Sequence, residues 1–263
     1  KIIILKLKIE IFTLRTNGEM PHLFNTMIDR WMLVLVLVCA LWIFLEEIRW
    51  TQAATPPNIP SAEFDALYAL YNSTNGTYWS WKDFVPGEPW NFSQADPNPC
   101  FENWEGVNCS CSSTVCHVVK LTLSAHNLTG SLDASLGNLT ALQELSLVDN
   151  QLVGTMPPEL SRCKNISFFD LRQNSFTGTI PDSYGEITQL NSFNVSMNDL
   201  RGTIPGSLFT LPNISVVTVD NNNFHGRIPD EFYESRTIRV LEASHNYIKG
   251  TISSSIGAMS QLF

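Results

Sequence analysis

Four cysteines lie close together in this 263-residue chain, at Cys100, Cys109, Cys111 and Cys116. Cysteines at this density either form disulfides, which staple small segments with few core residues in oxidising compartments, or bind a metal ion. Four cysteines allow three pairings, of which we favour Cys100–Cys109 with Cys111–Cys116. The alternative is a zinc site, but the C-x-C-x4-C spacing differs from that of two paired C-x2-C knuckles.

Asparagine sequons are a second set of residues with predictable chemistry. The chain contains nine N-x-S/T sequons, and one of them, Asn108, adjoins Cys109. Sequons are acceptors for N-linked glycans in secreted proteins, so their number indicates export. The other eight are predicted glycosylation sites: Asn72, Asn75, Asn91, Asn127, Asn138, Asn165, Asn194 and Asn213.

Catalytic constellations are absent from the sequence. It contains no H-E-x-x-H zinc motif, no G-x-S-x-G nucleophile elbow and no G-x-x-x-x-G-K-[ST] phosphate loop. The histidines and carboxylates are scattered rather than clustered. We therefore predict no catalytic residue, no metal, no cofactor and no enzyme activity in these 263 residues, while a kinase domain could follow in missing C-terminal sequence.

The charge of the chain limits its partners. The formal net charge is −9, and no run of basic residues occurs. Binding to nucleic acid or to an anionic membrane surface normally needs such a run. We therefore expect no nucleic-acid partner.

An uncharged hydrophobic segment of 15 residues, Trp31–Leu45, follows Arg30. Its length fits the core of a signal peptide better than a membrane span, which needs about 20 residues. We interpret residues 27–54 as a signal peptide or a signal anchor, and residues 1–26 as upstream sequence that is not native to the protein. Either interpretation places the rest of the chain outside the cytosol, secreted or at the cell surface, with membrane attachment through residues 31–45 or through a missing C-terminal segment.

A 24-residue period organises everything after the cysteines. One apolar column repeats without insertion or deletion at Leu121, Leu145, Phe169, Phe193, Val217 and Leu241. A second apolar residue follows two positions later in each repeat, and this alternation predicts a short strand with both side chains inward. A single coil cannot bury such a face, so the repeats must stack into a solenoid. Cys163 falls in another apolar column, which predicts a buried thiol.

Two further columns predict the turns between strands. Asparagines, whose amides can satisfy the backbone groups of a buried turn, recur at Asn150, Asn174, Asn198, Asn222 and Asn246, with His126 in the same position of the first coil. A glycine follows four residues after each of them, which suits a turn with positive φ.

The segments LQELSLVDNQLVGTMPPELSRC and ITQLNSFNVSMNDLRGTIPGSLFTL resemble plant-type leucine-rich repeats, L-x-x-L-x-L-x-x-N-x-L-x-G-x-I-P. The resemblance implies an α/β-type solenoid, a right-handed superhelix with a concave parallel β-sheet. It covers residues 117–263 as six 24-residue repeats, which we expect to be truncated at the C-terminus. It also implies a second, shorter run of strands at the G-x-I-P segments.

The resemblance extends upstream to an N-terminal cap over residues 55–116. ALYALYNSTNG at Ala66–Gly76 and the W-x-G-V-x-C run from Trp104 to Cys109 are similar to the helical, disulfide-bearing cap of this subclass. Ser61 after Pro60 is a candidate helix N-cap. One helical face is then predicted to consist of Phe64, Leu67, Tyr68 and Tyr71.

The outward residues of the predicted strands are the candidate ligand surface, since function on a repeat scaffold resides in its variable positions. We predict contacts to a protein, peptide or glycan ligand, on the concave or lateral face, from Asp170, Arg172, Gln173, Met197, Thr218, Asp220, Asn221, Glu242 and His245. A glycan on Asn194 would lie in the middle of this surface and direct binding to one end or to the lateral face.

The functional prediction is an extracellular leucine-rich-repeat recognition module, the ectodomain of a receptor-like surface protein. One alternative is a stand-alone secreted protein with adhesion or inhibitor activity. Another is the non-catalytic part of a longer leucine-rich-repeat receptor kinase.

Overall fold

A computed structural model describes residues 57–82, 85–94 and 96–262. The predictions for residues 1–26, for residues 27–54 and for the hydrophobic segment 31–45 lie outside the described residues. Within the described ranges, no helix is both long enough and apolar enough to cross a membrane.

Short strands alternate with short helices along the described residues. The two α-helices are α1 (Ser61–Ser73) and α2 (Asp230–Glu234). The 3-10 helices are Gly76–Tyr78, Ala134–Asn138, Pro158–Arg162, Asp182–Glu186, Gly206–Thr210 and Ser254–Ala258. The strands are β1 (Val107–Cys111), β2 (Cys116–Thr122), β3 (Thr129–Gly130), β4 (Glu144–Ser146), β5 (Gln151–Gly154), β6 (Phe168–Asp170), β7 (Ser175–Phe176), β8 (Ser192–Asn194), β9 (Arg201–Gly202), β10 (Val216–Thr218), β11 (Asn223–Gly226), β12 (Val240–Glu242) and β13 (Tyr247–Ile248).

One seven-stranded main sheet runs through the described residues in the order β1-β2-β4-β6-β8-β10-β12. From β2 onward the strands are parallel, and Leu145 pairs with Phe169 and Phe169 with Phe193, so the register advances by one repeat per strand. The inward side chains of Leu121, Phe169 and Val217 are fully buried. These features confirm the leucine-rich-repeat solenoid and its parallel sheet.

The second run of strands lies slightly earlier in each repeat than predicted. These strands form two three-stranded sheets, β3-β5-β7 and β9-β11-β13. Strands such as β5 and β11 end at the glycine, whereas the prediction placed them at G-x-I-P. The isoleucine–proline pair instead leads into the next helix, because Pro181 and Pro205 are the N-cap residues of 3-10 helices. Proline's fixed φ suits this position, which needs no backbone N–H.

The asparagine column connects each coil to both of its neighbours. Nδ2 of Asn198 donates to the carbonyl of Leu171 in the preceding coil (3.1 Å) and to that of Val195 in its own coil (3.1 Å). Its Oδ1 accepts from the backbone N–H of Phe176 (2.9 Å), also in the preceding coil. Asn150, Asn174, Asn222 and Asn246 repeat these donations. The column therefore satisfies backbone groups that stacking removes from water.

The glycine column has the predicted backbone conformation. Gly178 has φ of 81°, and the glycines in equivalent positions of the other coils have φ between 81° and 119°. A Cβ on Gly178 would lie 2.9 Å from the Cγ2 methyl of Thr155, so the previous coil packs directly on the bare backbone. Any larger residue here would meet both backbone strain and a clash.

The cap begins with α1 and differs from the prediction in two respects. Pro60, not Ser61, is the N-cap residue, and no side chain caps the helix. The buried face of α1 consists of Glu63, Ala66, Leu67 and Leu70, whereas Tyr68 is 48% exposed. Phe64 and Tyr71 are only partly buried against the core. The observed buried face of α1 is thus rotated around the helix relative to the predicted face, toward the side that contacts the first coil.

Disulfides close the cap, in the pairing that the sequence analysis favours. Cys100 is bonded to Cys109 with Cα atoms 5.6 Å apart, and Cys111 is bonded to Cys116 with Cα atoms 4.0 Å apart. The second bond links β1 and β2, which pair antiparallel. The cap thus contributes the first strand of the main sheet and covers an edge that would otherwise be exposed.

Two carboxylate–imidazole pairs join the cap to the first coils. Glu63, in α1, contacts His117 Nδ1 at 2.5 Å and accepts from the backbone N–H of Val118 at 2.8 Å. Glu105 lies 2.7 Å from Nε2 of His126, and both side chains are almost fully buried. His126 thus occupies the asparagine position of the first coil, as predicted, but its partner is a cap residue.

The asparagine column predicts a large and position-specific loss of stability. Asn198→Ala would leave the buried N–H of Phe176 without a partner. It would also remove one of the two amide donors from each of the carbonyls of Leu171 and Val195, which keep Asn174 and Asn222. We therefore expect a loss of about 2 kcal/mol or more. Asn223→Ala, at an exposed asparagine of β11, should change stability by less than about 0.5 kcal/mol. Urea denaturation of both variants measures the difference, and equal losses would contradict the ladder.

In the first coil, replacing His126 by the asparagine of the repeat pattern should destabilise the protein. His126→Asn restores the asparagine of the other coils but removes the imidazole from Oε1 of buried Glu105. Because Oε2 keeps the backbone N–H of Lys82 as a donor, we expect a loss of about 1–3 kcal/mol. The double variant E105Q/H126N should recover part of that loss, because the buried charge is gone. A double-mutant cycle from urea denaturation tests this; an H126N variant as stable as the wild type would refute the pair's role.

Candidate functional site

The outward surface of the main sheet, here called the concave face, is built from columns of side chains. In each three-residue strand the middle residue points into the core, as Phe169 does, while the first and third point outward. The first column was missed by the sequence analysis, although the period-two alternation around each inward residue indicates it. It consists of Lys120, Glu144, Phe168, Ser192, Val216 and Val240. Phe168 is 38% exposed.

The third strand position is covered in the second, third and fifth coils, and we call Ser146, Asp170 and Thr218 the polar floor. Ser146, Asp170 and Thr218 are only 9%, 2% and 7% exposed. Thr218 Oγ1 donates to the carbonyl of Phe193 at 3.4 Å. Asp170 and Thr218, both predicted ligand contacts, are therefore almost inaccessible to solvent in this structure.

Asp170 is the buried charge of this floor. Its Oδ1 accepts from the backbone N–H of Arg172 at 3.1 Å, and its Oδ2 lies 3.6 Å from Arg172 Nε. Burial raises the pKa of the Asp170 carboxyl above its usual value, and the Arg172 backbone N–H and guanidinium only partly oppose this rise. The side chain of Arg172 is 47% exposed, so its guanidinium still faces solvent.

The residue directly before each asparagine of the column forms a rim, which lies beyond the three-residue strand. Gln173, Met197, Asn221 and His245 all have left-handed backbones with φ between 52° and 56°. The backbone N–H of Met197 donates to the carbonyl of Asp220 in the next coil at 3.0 Å, which fixes the turn. Met197 is 50% exposed. The rim therefore presents side chains at the border of the concave face.

Two of the predicted contacts, Arg172 and Met197, are exposed on the concave face, as is the missed Phe168. Phe168 and Arg172 belong to one coil and Met197 to the next, and we call these three residues the central patch. Acidic groups follow on the last two coils. Asp220 accepts from Asn221 Nδ2 at 2.6 Å, and Glu242 is exposed. The third and fourth coils thus present Phe168, Arg172 and Met197, while the fifth and sixth present the carboxylates of Asp220 and Glu242 beside the valines of the first column.

Cysteine chemistry offers no second site in the described residues. The sulfurs of Cys100, Cys111 and Cys116 lie within 4.8 Å of one another, yet all three take part in disulfides, so no thiolate remains for the zinc alternative. Cys163 is fully buried, and desolvation raises its pKa to about 12. Thiols with a raised pKa are poor nucleophiles, so this residue is a packing residue as predicted.

Asp170 predicts a pH-dependent stability. A carboxyl whose pKa is raised by folding binds its proton more tightly in the native state, so stability falls as the pH rises through its raised pKa. Asp170→Asn keeps an acceptor for Arg172 N–H without the buried charge. We expect the variant to be more stable than the wild type at pH 7, on the order of 1 kcal/mol, with the difference vanishing in acid. Asp199→Asn, at an exposed position, is the control in thermal melts from pH 3 to 8; a pH-independent D170N difference would contradict the assignment.

Comparisons with known sequences agree with this architecture. The family model "Leucine Rich Repeat" matches residues 141–163. A "Probable leucine-rich repeat receptor-like serine/threonine-protein kinase" of Arabidopsis thaliana is 32% identical over 117 residues, which is 43% of this chain and 11% of that protein. Phytosulfokine receptor 1 of the same plant is 32% identical over 85 residues, 32% of this chain and 8% of that receptor. The chain therefore spans only a small part of these relatives.

Solved structures share the fold. The PEPR1–AtPEP1 crystal structure matches 77% of this chain and 27% of that chain, with 29% identity and a TM-score of 0.66. The ectodomain of the receptor kinase SOBIR1 from Arabidopsis thaliana matches 75% of this chain and 100% of its own, with 28% identity and a TM-score of 0.61. A plant ice-binding protein is also similar, with 26% identity over 76% of this chain and 61% of its own and a TM-score of 0.64. The repeat pattern, the fold and these similarities together support a plant-type leucine-rich-repeat chain that resembles the ectodomains of receptor-like proteins.

Proposed function

We propose that the repeats form an extracellular recognition module that binds an extended peptide or protein segment along the concave face. The observation that carries this proposal is the central patch, where Phe168, Arg172 and Met197 stay exposed above the covered Asp170. Aromatic, methionine and arginine side chains are the residue types enriched in the cores of protein interfaces.

The chemistry of the concave face suggests how a ligand would lie. Phe168, with Val216 in the same column, would contact apolar side chains, and the Arg172 guanidinium would bind a carboxylate. Asp220 and Glu242, two and three coils later, would favour a cationic side chain. A ligand with an acidic group over the third coil and a basic group over the fifth or sixth fits this arrangement.

Similar proteins support a peptide or protein ligand. One similar structure is the ectodomain of GASSHO1/SCHENGEN3 in complex with CASPARIAN STRIP INTEGRITY FACTOR 2, with a TM-score of 0.64 and 28% identity over 75% of this chain. Another is a plant peptide hormone receptor, RGFR1, in complex with RGF2, with a TM-score of 0.52 and 32% identity over 55% of this chain. Because an ice-binding protein shares the fold, the fold alone does not select a function. The composition of the central patch is what supports a peptide or protein ligand for this chain.

The most fitting context is the ectodomain of a glycosylated, receptor-like protein at the cell surface. A stand-alone secreted adhesion or inhibitor protein and the non-catalytic part of a longer receptor kinase are the two alternatives. A transmembrane helix encoded after Phe263 would support a receptor, and a kinase beyond it would support the receptor kinase. A final capping coil followed directly by a stop would support the stand-alone protein.

A peptide selection tests the binding face. Linear peptides are selected from a phage-displayed random library against the secreted N194Q protein, whose concave face carries no glycan at this position. They should lose affinity about tenfold or more when R172E or F168A is added, because both remove an anchor of the patch. Lys164→Glu and Val153→Ala make matched changes at exposed positions outside the concave face and should leave affinity unchanged. Selected peptides that bind all five proteins equally would refute the concave site.

A further inference from the structure

Asn194 stands at the centre of the concave face and begins the sequon Asn194-Val195-Ser196. It is the last residue of β8, and its register partners on the two adjacent strands are Asp170 and Thr218. Both partners are nearly covered, whereas Asn194 remains partly exposed. Its carboxamide therefore reaches the solvent of the concave face between two covered neighbours.

The carboxamide of Asn194 is held in a definite orientation. Its Oδ1 accepts from the backbone N–H of Ser196 at 3.0 Å and from the Ser196 hydroxyl at 2.8 Å. Asn91, another sequon asparagine, makes the same two contacts with Ser93 at 3.1 and 2.6 Å. With Oδ1 engaged, Nδ2 points away from the backbone, and no acceptor among the described residues bonds to it.

Four other sequon asparagines use Nδ2 as a hydrogen-bond donor within the fold. The donors and acceptors are Asn75 to Thr129 Oγ1, Asn127 to the Tyr78 carbonyl, Asn165 to the Thr140 carbonyl and Asn213 to the Thr188 carbonyl. Asn194 and Asn91 thus differ from these four, because the atom that would carry a glycan is free in the folded state.

We infer that Asn194 carries an N-linked glycan and that this glycan closes the central patch. In the transfer, Asn194 Nδ2 forms a bond to the anomeric carbon of a lipid-linked oligosaccharide pyrophosphate and gives up one proton. The glycosyl–phosphate bond breaks, and the lipid pyrophosphate leaves. The inference deepens the proposed function and rests on it for its consequence, since a closed patch matters only if the concave face binds a ligand.

The position of the glycan would divide the concave face. Met197 follows Asn194 by three residues and lies within roughly 10 Å of it along the chain. The first sugars on Asn194 therefore cover the side of the groove on which Met197 and Arg172 lie. The acidic residues Asp220 and Glu242, on later coils, remain open. Molecules with and without this glycan would present two different concave faces from one sequence.

Site occupancy is the first test. The full chain, secreted from a glycosylating eukaryotic host, is treated with peptide N-glycosidase in heavy-oxygen water and analysed by peptide mass spectrometry. We expect the Asn194 peptide to be labelled together with the Asn91 peptide. A labelled Asn91 peptide with an unlabelled Asn194 peptide would overturn the inference.

The second test asks whether the glycan shields the central patch from solvent, and the oxidation of Met197 is the readout. Hydroxyl-radical footprinting should oxidise Met197 several-fold faster in N194Q and in S196A, which both remove the sequon, than in the glycosylated wild type. N91Q and S93A remove the matched cap sequon and should leave Met197 oxidation unchanged. Thermal melts verify that all variants are folded. Equal Met197 oxidation in the occupied wild type and in both sequon variants would overturn the closure of the patch.

The outcomes separate this inference from the proposed function, because neither measurement uses a ligand. An unmodified Asn194 leaves the concave binding site as proposed. An occupied Asn194 together with a failed peptide selection on N194Q would reject the binding site and keep the glycan.

Discussion

One hydrogen-bonding problem governs this molecule: each coil turns sharply at the end of its strand, inside a stack from which water is excluded. The solution is one side-chain amide per coil, as at Asn198, which bonds to backbone groups in two coils. An unpaired buried backbone group costs about 1–3 kcal/mol, so each amide of the column stabilises the fold about as much as one buried apolar side chain. Because each amide needs the neighbouring coil, stability belongs to pairs of coils rather than to single repeats.

The first coil shows how the same problem is solved at the boundary. There His126 takes the position of the amide, and its second nitrogen contacts the buried Glu105 of the cap. Cap and repeats are thus joined through a polar contact as well as through a shared strand in the main sheet. A coil with the standard asparagine would fit the ladder but leave the cap carboxylate without its partner.

Much of the fold follows from the sequence, because the period, the inward columns and the turn glycines are local rules repeated six times. The disulfide-bearing cap also has a local signature. The contact between Glu105 and His126 could not be predicted, because Glu105 lies in the cap, outside the repeat pattern that places His126. The burial of Asp170 was equally hidden, because it depends on crowding by side chains of neighbouring strands. The outward orientation of Phe168 follows from the period-two alternation around Phe169, but it was not predicted.

The rim of the concave face places a restriction on how such a surface can diversify. Every rim residue has a left-handed backbone, fixed by hydrogen bonds from one coil to the next. In these coils the rim positions hold Ala125, Asp149, Gln173, Met197, Asn221 and His245. None is valine, isoleucine or threonine, the residues for which that backbone is most strained. The rim can therefore vary among polar, charged and long flexible side chains, but β-branched residues are disfavoured there whatever the ligand. Backbone geometry thus restricts which residue types can contribute to binding at this border.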